Sequence, residues 1–292
     1  MDKIDTTKTL RIILKNPNGI SSNKSNLEFQ YGLARSCLLG IGVTSIAETK
    51  LNWTNTVIYH TSRWFRQTWG FSSLSSSQIN EKFCSTFQPG GTLRAVVDHW
   101  TTRATEKGQD PYCLGRWSFV TLRGKRDTLL TIITAYRVYQ KSSTSIGVKT
   151  VYMQQIRALK SNGIQKNPSN STIEPNKQFI LDLQAWIQLL SSQGHQIVLS
   201  IDNNKNFYTA EESCHHLTCT PNIHVTDKSH DDSLHTLAAS CGFLDIPALQ
   251  YSTCPFPPTY IRGTIHAYLS HLTGNSGKIW HSPSQQYLFR GS

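Results

Sequence analysis

Four polar groups stand at the ends of four strand-like apolar runs, and their types could bind a cation, take a proton from water and hold a phosphate oxygen. Ile197-Val-Leu-Ser-Ile201 runs into Asp202-Asn203-Asn204, and Leu10-Arg-Ile-Ile-Leu-Lys runs into Asn16-Pro-Asn18-Gly19. Residues 42–47 end in Glu48-Thr-Lys50, and residues 128–135 end in Tyr136. A carboxylate binds a hard cation or takes a proton from water, a neighbouring carboxamide fixes that water or a phosphate oxygen, and a phenol donates a hydrogen bond. Any one of these ends is ordinary turn chemistry, Asn16 before Pro-Asn-Gly most of all. In series they match the way α/β proteins build a ligand site from strand ends along one edge of a sheet.

Strand and helix patterns alternate around these positions. Trp53, Val57, Trp64 and Phe65 fall at helical spacing in residues 52–69, and Gly70 ends that run. Residues 71–77, Phe-Ser-Ser-Leu-Ser-Ser-Ser, read as a polar loop. After Gly90-Gly91, residues 93–97 predict a strand, and residues 117–122 with 129–136 predict a hairpin around Arg123-Gly-Lys-Arg-Asp127. Residues 160–177, rich in Asn, Ser and Pro, read as an exposed loop. Phe179, Leu183, Trp186, Ile187 and Leu190 then share one face of a helix, and Gly194 stops it before the strand that delivers Asp202.

Composition narrows the partners. The chain has 292 residues and a formal charge of +11, a balance that favours a polyanion such as nucleic acid, whose counterions a basic surface releases. Seven Trp, eleven Phe and eleven Tyr supply bulk for one large core. No segment approaches the roughly 20 apolar residues of a membrane span, and the first residues lack the apolar core of a signal peptide. Seven scattered cysteines do not form a disulfide framework and point to a reducing interior. The expectation is a soluble intracellular protein, with the nucleus open to it.

The order of these motifs resembles the endonuclease/exonuclease/phosphatase superfamily, the deoxyribonuclease I-like group, and most closely the apurinic/apyrimidinic-type endonuclease domains of non-LTR retrotransposons. Asn16-Pro-Asn18-Gly19-Ile20 is similar to that family's Asn-x-(Asp/Asn)-Gly-Leu, and Ala47-Glu48-Thr49-Lys50 to its Gln-Glu-Thr-Lys, whose Glu is a metal ligand. Thr134-Ala135-Tyr136 resembles the strand with a phosphate-contacting Tyr, and Thr259-Tyr260-Ile261-Arg262-Gly263 the segment before the last catalytic region. The resemblance spans residues 8–272 and leaves 273–292 as a non-matching tail. It implies a four-layer α/β/β/α sandwich of two mainly antiparallel sheets, here with incomplete C-terminal strands. It also implies DNA backbone hydrolysis with Mg²⁺ or Mn²⁺. In that reading Glu48, Asp202 and Asn16 hold the metal. Asp202 orients or deprotonates the attacking water, Asn204 and Asn16 fix it, and Tyr136 donates to the phosphoryl group.

The chain departs from the family near its end. Ala267 stands about where an Asp is expected, and no Ser-Asp-His follows residue 263. His281, weighed as a substitute, comes early and in the setting Ile279-Trp280-His281-Ser282-Pro283. The expectation is a nuclease fold with low or absent cleavage, because losing a positioned acid–base group costs about 10²–10⁴-fold in rate. The readings therefore include an active endonuclease, a nucleic-acid-binding remnant of the same fold, and a phosphomonoesterase or phospholipase branch. Three other features read blandly: the irregular Cys214, His215, His216, Cys219, His224, His230, His235 series as a polar loop instead of a zinc site, the Arg123–Arg126 turn as a solvated hairpin tip, and Pro255-Phe-Pro-Pro258 as a rigid connector.

Overall fold

The computed structural model describes residues 9–20, 27–79, 88, 90–138, 147, 150–163, 174–202, 234–245 and 285–290. Among the described residues ten strands form two sheets. The four-stranded sheet has the order β1-β2-β4-β3, with β1 Ile12–Lys15, β2 Val43–Ala47, β3 Ser72–Ser77 and β4 Thr92–Val97. The six-stranded sheet has the order β5-β6-β7-β8-β10-β9, with β5 Ala104–Gln109, β6 Trp117–Arg123, β7 Leu129–Tyr136, β8 His195–Asp202, β9 Leu244–Asp245 and β10 Gln285–Arg290. Pairing is antiparallel except between β1 and β2 and between β7 and β8. Parallel neighbours need a crossover. The first crossover carries helix α1, Leu27–Leu38, and the second carries α3, Val151–Ser161, and α4, Pro175–Ser192.

Helices cover the outer face of each sheet. Helix α2, Asn55–Trp69, starts where the Thr54 hydroxyl accepts from the Val57 N–H and stops at Gly70, whose φ of 80° suits glycine. Trp64 and Phe65 of α2 and Leu33 of α1 bury against Ile46, Leu93, Ala95 and Val97 of the four-stranded sheet. On the opposite flank Phe179, Leu183, Ile187 and Leu190 of α4 pack on Trp117, Ile133, Leu199 and Ile201. Helix α5, Leu234–Cys241, adds Leu237 to that layer. Each buried large side chain of this kind contributes about 1.5–3 kcal/mol. The four layers are thus α/β/β/α, as the resemblance implies; α4 extends past its apolar stripe at both ends, whereas α2 starts at Asn55 and leaves Trp53 ahead of it.

The space between the sheets is apolar at one end and polar at the other. Val43, Val96, Val120, Leu122, Ile132 and Val198 fill the first end. Toward the other, the Thr92 hydroxyl donates to Ser118 at 2.8 Å, and the Arg94 guanidinium donates to the Thr134 hydroxyl across the gap. A buried ion network also ties α4 to β6. Arg116 Nε and Nη2 meet both carboxylate oxygens of Asp110 at 2.6 and 2.9 Å, and Nη1 meets Asp182 at 2.6 Å. Burial alone favours loss of the Arg116 proton; the carboxylates of Asp110 and Asp182 reverse this and raise its pKa.

Two expectations change. Residues 72–77 form strand β3 instead of a loop, paired along its length with β4. The reason is tertiary: the register that sends Leu74 to the helical face sends Ser73, Ser75 and Ser77 to the polar gap, where small hydroxyls fit. Within the 273–292 tail, which does not match the family's final strands, Gln285–Arg290 pair with β8 on one side and β9 on the other. Tyr287-Leu288-Phe289 is strand-prone in composition, and β8 has backbone groups to satisfy on its second edge. Of the 160–177 stretch that reads as a loop, residues 160 and 161 belong to α3 and residues 175–177 to α4.

Candidate active site

Three of the strand-end residues meet where the polar edges of the two sheets come together. Asn16 follows β1, Glu48 follows β2 in the four-stranded sheet, and Asp202 ends β8 in the six-stranded one. The Asn16 carboxamide joins them. Its Nδ2 donates to Glu48 Oε2 at 3.1 Å and to Asp202 Oδ2. Its Oδ1 accepts the Asn18 N–H at 2.7 Å, an Asx turn that orients the amide so that its donor faces the carboxylates. Asp202 is 0% exposed, whereas the Glu48 side chain keeps 19% of its surface.

The loop after β2 is held from behind. Glu48 and Lys50 both have positive φ, 54° and 55°. The Thr49 and Lys50 N–H groups donate to the Gly91 and Gly90 carbonyls at 3.1 and 2.8 Å. Gly91 itself must be glycine: at φ +79° a Cβ would lie 2.9 Å from the Ser77 carbonyl and from Thr49 Oγ1. The result aims the Glu48 side chain at Asn16. Its other oxygen, Oε1, pairs with Lys50 Nζ at 3.3 Å, and the same ammonium donates to Asn18 Oδ1.

Tyr136 lies directly beside Asp202, its register partner across the parallel β7–β8 ladder. Its N–H donates to the Arg116 carbonyl at 2.8 Å, so the Arg116 network also fixes the end of β7. Its ring is 4% exposed and packs with Leu14, Ala47 and Val151. Asn204 lies outside the described residues, as do Ala267, His281, the 259–263 segment and the Cys214–His230 series; His235 falls on α5, but its side chain is not described.

Lys50, Asn18 and Gly91 were not chosen as site residues from the sequence. Lys50 was legible as the cation two residues after Glu48. Gly90-Gly91 before a strand was the signal for a close backbone approach.

The donor set fits a hard divalent cation. Glu48 and Asp202 offer carboxylate oxygens from the two sheets, the Asn16 N–H standing between them and its oxygen held by Asn18, and Mg²⁺ is commonly held by one or two carboxylates together with substrate phosphate and water. Among the described residues no group of three or more His, Cys, Asp and Glu side chains forms a denser metal centre. Among them, too, no helix is long and apolar enough to cross a membrane.

No family model matches the sequence, and no curated protein does either. Solved structures match the fold. An AP endonuclease from Archaeoglobus fulgidus superposes with a TM-score of 0.51 at 13% identity, over 96% of this chain and 86% of that one. TDP2 from Caenorhabditis elegans superposes with a TM-score of 0.50 at 9% identity, over 100% of this chain and 67% of that one. The endonuclease domain of TRAS1, a telomere-specific non-LTR retrotransposon, also aligns, at 12% identity over 96% of this chain and 83% of that one, but its TM-score of 0.42 is too low to carry argument. At these identities the likeness establishes the fold alone. The chain shares the four-layer α/β/β/α fold of the AP endonuclease and TDP2.

Proposed function

We propose that this chain is a metal-dependent phosphodiesterase of endonuclease type that acts on the DNA backbone. The observation that carries the reading is the Asn16 carboxamide bridging a carboxylate from each sheet, Glu48 and Asp202, at the rim of the sandwich. The shared fold with an AP endonuclease and the formal charge of +11 support it. A bound Mg²⁺ or Mn²⁺ supplies charge neutralisation at the scissile phosphate and the leaving oxygen.

The residues themselves divide the remaining work. Glu48 and Asp202 provide the carboxylate ligands, and Asn16 adds its amide oxygen once the ion takes the place of its N–H between the two carboxylates. Asp202 accepts the proton of the attacking water, and its burial raises its gain from a nearby cation, because charges interact more strongly out of water. Asn16 and Asn204 orient that water, and the Tyr136 hydroxyl donates to a phosphoryl oxygen. Lys50, already paired with Glu48, places a positive charge at the entrance for a phosphate.

A second reading, a DNA-binding remnant without cleavage, is favoured by Ala267 and by the lack of a Ser-Asp-His after residue 263. Plasmid nicking with Mg²⁺ or Mn²⁺ decides between them. The expected result is metal-dependent nicking that falls by about 10²-fold or more in Glu48→Ala and in Asp202→Ala. No nicking by the unsubstituted chain, with salt-sensitive DNA binding retained, sinks the enzyme reading and leaves the remnant.

A further inference from the structure

Helix α2 turns an apolar face to the four-stranded sheet and a different chemistry outward. Trp64 and Phe65 bury against the sheet, with Ile58 and Trp69 packed beside them. Tyr59, Arg63, Arg66 and Gln67, at i, i+4, i+7 and i+8, follow one another along the exposed side. These four line an open depression of about 280 Å³, and the Tyr59 ring is 61% exposed. Arg66 donates through Nε and Nη2 to the Ser62 hydroxyl at 3.2 and 3.0 Å, which lays its guanidinium along the helix. Among the described residues no carboxylate pairs with Arg63 or Arg66. The sequence itself has no Asp or Glu between Glu48 and Glu81. A solvated helix face commonly balances its cations with acids three or four residues away. This face is cationic, aromatic and without a counter-charge.

The helix also leads away from the proposed site. It follows the Glu48–Lys50 loop at the rim and hands the chain to Ser72 of β3. Ser77 of β3 pairs with Thr92, next to the Gly91 that braces that loop, whereas Ser72 pairs with Val97 at the other end of β4. Helix α2 therefore runs from the rim down the flank of the sandwich. Tyr59 to Gln67 cover roughly 12 Å of that path. Neighbours three and four apart on a helix stand about 5–6 Å from each other, close to the separation of successive phosphates along an extended strand. A duplex is too stiff to turn from the rim down the flank, and a single strand bends freely. A ring for a base to stack on, beside guanidinium forks for phosphates, is how proteins hold single strands without reading their sequence. Beyond the helix the Asp98 N–H donates to the Phe71 carbonyl, so a carboxylate stands at the foot and closes the track there.

Resting on the DNA-directed reading above, we infer that the outer face of α2 is a binding track for single-stranded DNA leaving the site. Tyr59 stacks on a base, and Arg63 and Arg66 bind two successive phosphates.

Fluorescence anisotropy with a labelled oligothymidylate, in EDTA so that nothing is cut, tests it over a salt series on the unsubstituted chain, R63Q/R66Q, R63K/R66K and Y59A. At about 0.7 per phosphate, the slope of log affinity against log salt should become shallower by about 1.4 in R63Q/R66Q and stay as it is in R63K/R66K. Y59A should bind about fivefold more weakly or worse with its slope unchanged, because stacking carries no counterion release. Circular dichroism checks that each variant is folded. If R63Q/R66Q is not, R63Q alone, which leaves the Ser62 contact in place, carries half the change in slope. An unchanged slope in a folded glutamine variant overturns the track. An equal loss of affinity on a blunt duplex overturns the choice of a single strand. Plasmid nicking with Mg²⁺ by the unsubstituted chain is scored separately: its absence removes the enzyme reading, whereas the change in slope on oligothymidylate stands without it.

Discussion

Replacing Asn16 with alanine tests whether the bridge between the sheets is the keystone of the site. The change removes two hydrogen bonds to charged acceptors, one to Glu48 and one to Asp202. Their costs differ. Glu48 keeps its ion pair with Lys50 at 3.3 Å and has 19% of its side chain in water, so solvent replaces most of what it loses, leaving about 0.5–1 kcal/mol. Asp202 is 0% exposed, so water does not take the donor's place there; removing a donor from a buried carboxylate costs about 1.5–3 kcal/mol. The sum is about 2–4 kcal/mol, a large share of the 5–15 kcal/mol by which domains are typically stable. Urea unfolding of Asn16→Ala, Asp202→Asn and the double variant measures it in a cycle. The coupling energy between the two substitutions should reach at least about 1 kcal/mol, because the buried bond is lost only once. Saturating Mg²⁺ should also restore part of the loss in Asn16→Ala, since an ion bound by Glu48 and Asp202 stabilises the native state alone. Strictly additive losses, or a loss below about 0.5 kcal/mol, would refute the bridge as a structural joint.

Two further outcomes follow from groups away from the bridge. Asp110→Ala leaves the buried Arg116 with Asp182 as its partner and strips acceptors from the Tyr112 and Leu114 N–H groups, so thermal or urea unfolding should show a loss of about 3–5 kcal/mol; a loss under about 1 kcal/mol contradicts the network's role in seating the end of β7. Lys15, whose pKa is lowered by burial and by Arg35, is a cost to the native state while it is charged. With the folded pKa below the unfolded one, that cost is fully present at neutral pH and fades as pH rises toward the ordinary lysine value near 10.5. Lys15→Met should therefore be more stable than the unsubstituted chain at pH 7, with the gap closing by pH 10; a constant or widening gap rules the reasoning out.

What was legible from the sequence is what local chemistry decides. Strands β1, β2, β7 and β8 each combine an apolar run with a polar stop, and the structure brings the stops of β1, β2 and β8 into hydrogen-bond contact. The amphipathic α4 was equally plain, because Phe179, Leu183, Ile187 and Leu190 serve one core. Elements whose sequence answers to distant partners were not. Serine-rich β3 is a strand because β4 pairs with it and the gap behind it is polar, and neither fact is local. Strand β5, Ala-Thr-Glu-Lys-Gly-Gln, is an edge strand whose exposed Glu106 and Lys107 suit an open edge better than they suit a strand pattern. Strand β10 was judged against a motif it lacks instead of against the β8 edge that it satisfies. In the site itself, Glu48 and Asp202 were found as chemistry, while the part that Lys50 and Gly91 play in aiming Glu48 depends on the positive-φ turn and the close approach of Gly91 to Thr49.

The polarity gradient between the sheets explains why the site sits at one rim and why its charges can be buried there. A sandwich closed by apolar contacts throughout would give Asp202 and Arg94 no polar neighbours and favour their neutral or solvent-facing forms. Here the apolar plug of Val43, Val96, Val120, Leu122, Ile132 and Val198 holds the sheets together at the far end, and hydroxyls and charges take over toward the rim. The helical layers outside supply the apolar burial that the polar half forgoes. A site assembled this way is joined to the fold by its own hydrogen bonds, since Asn16 ties a loop of one sheet to a strand end of the other. Substitutions at the rim should thus alter stability and ion binding together, whereas substitutions in the apolar plug should alter stability and leave the intrinsic ion affinity of the folded fraction unchanged. A Val198→Ala variant that weakened Mn²⁺ binding as severely as Asp202→Asn, while still fully folded, would mean that the gradient does not partition the fold in this way.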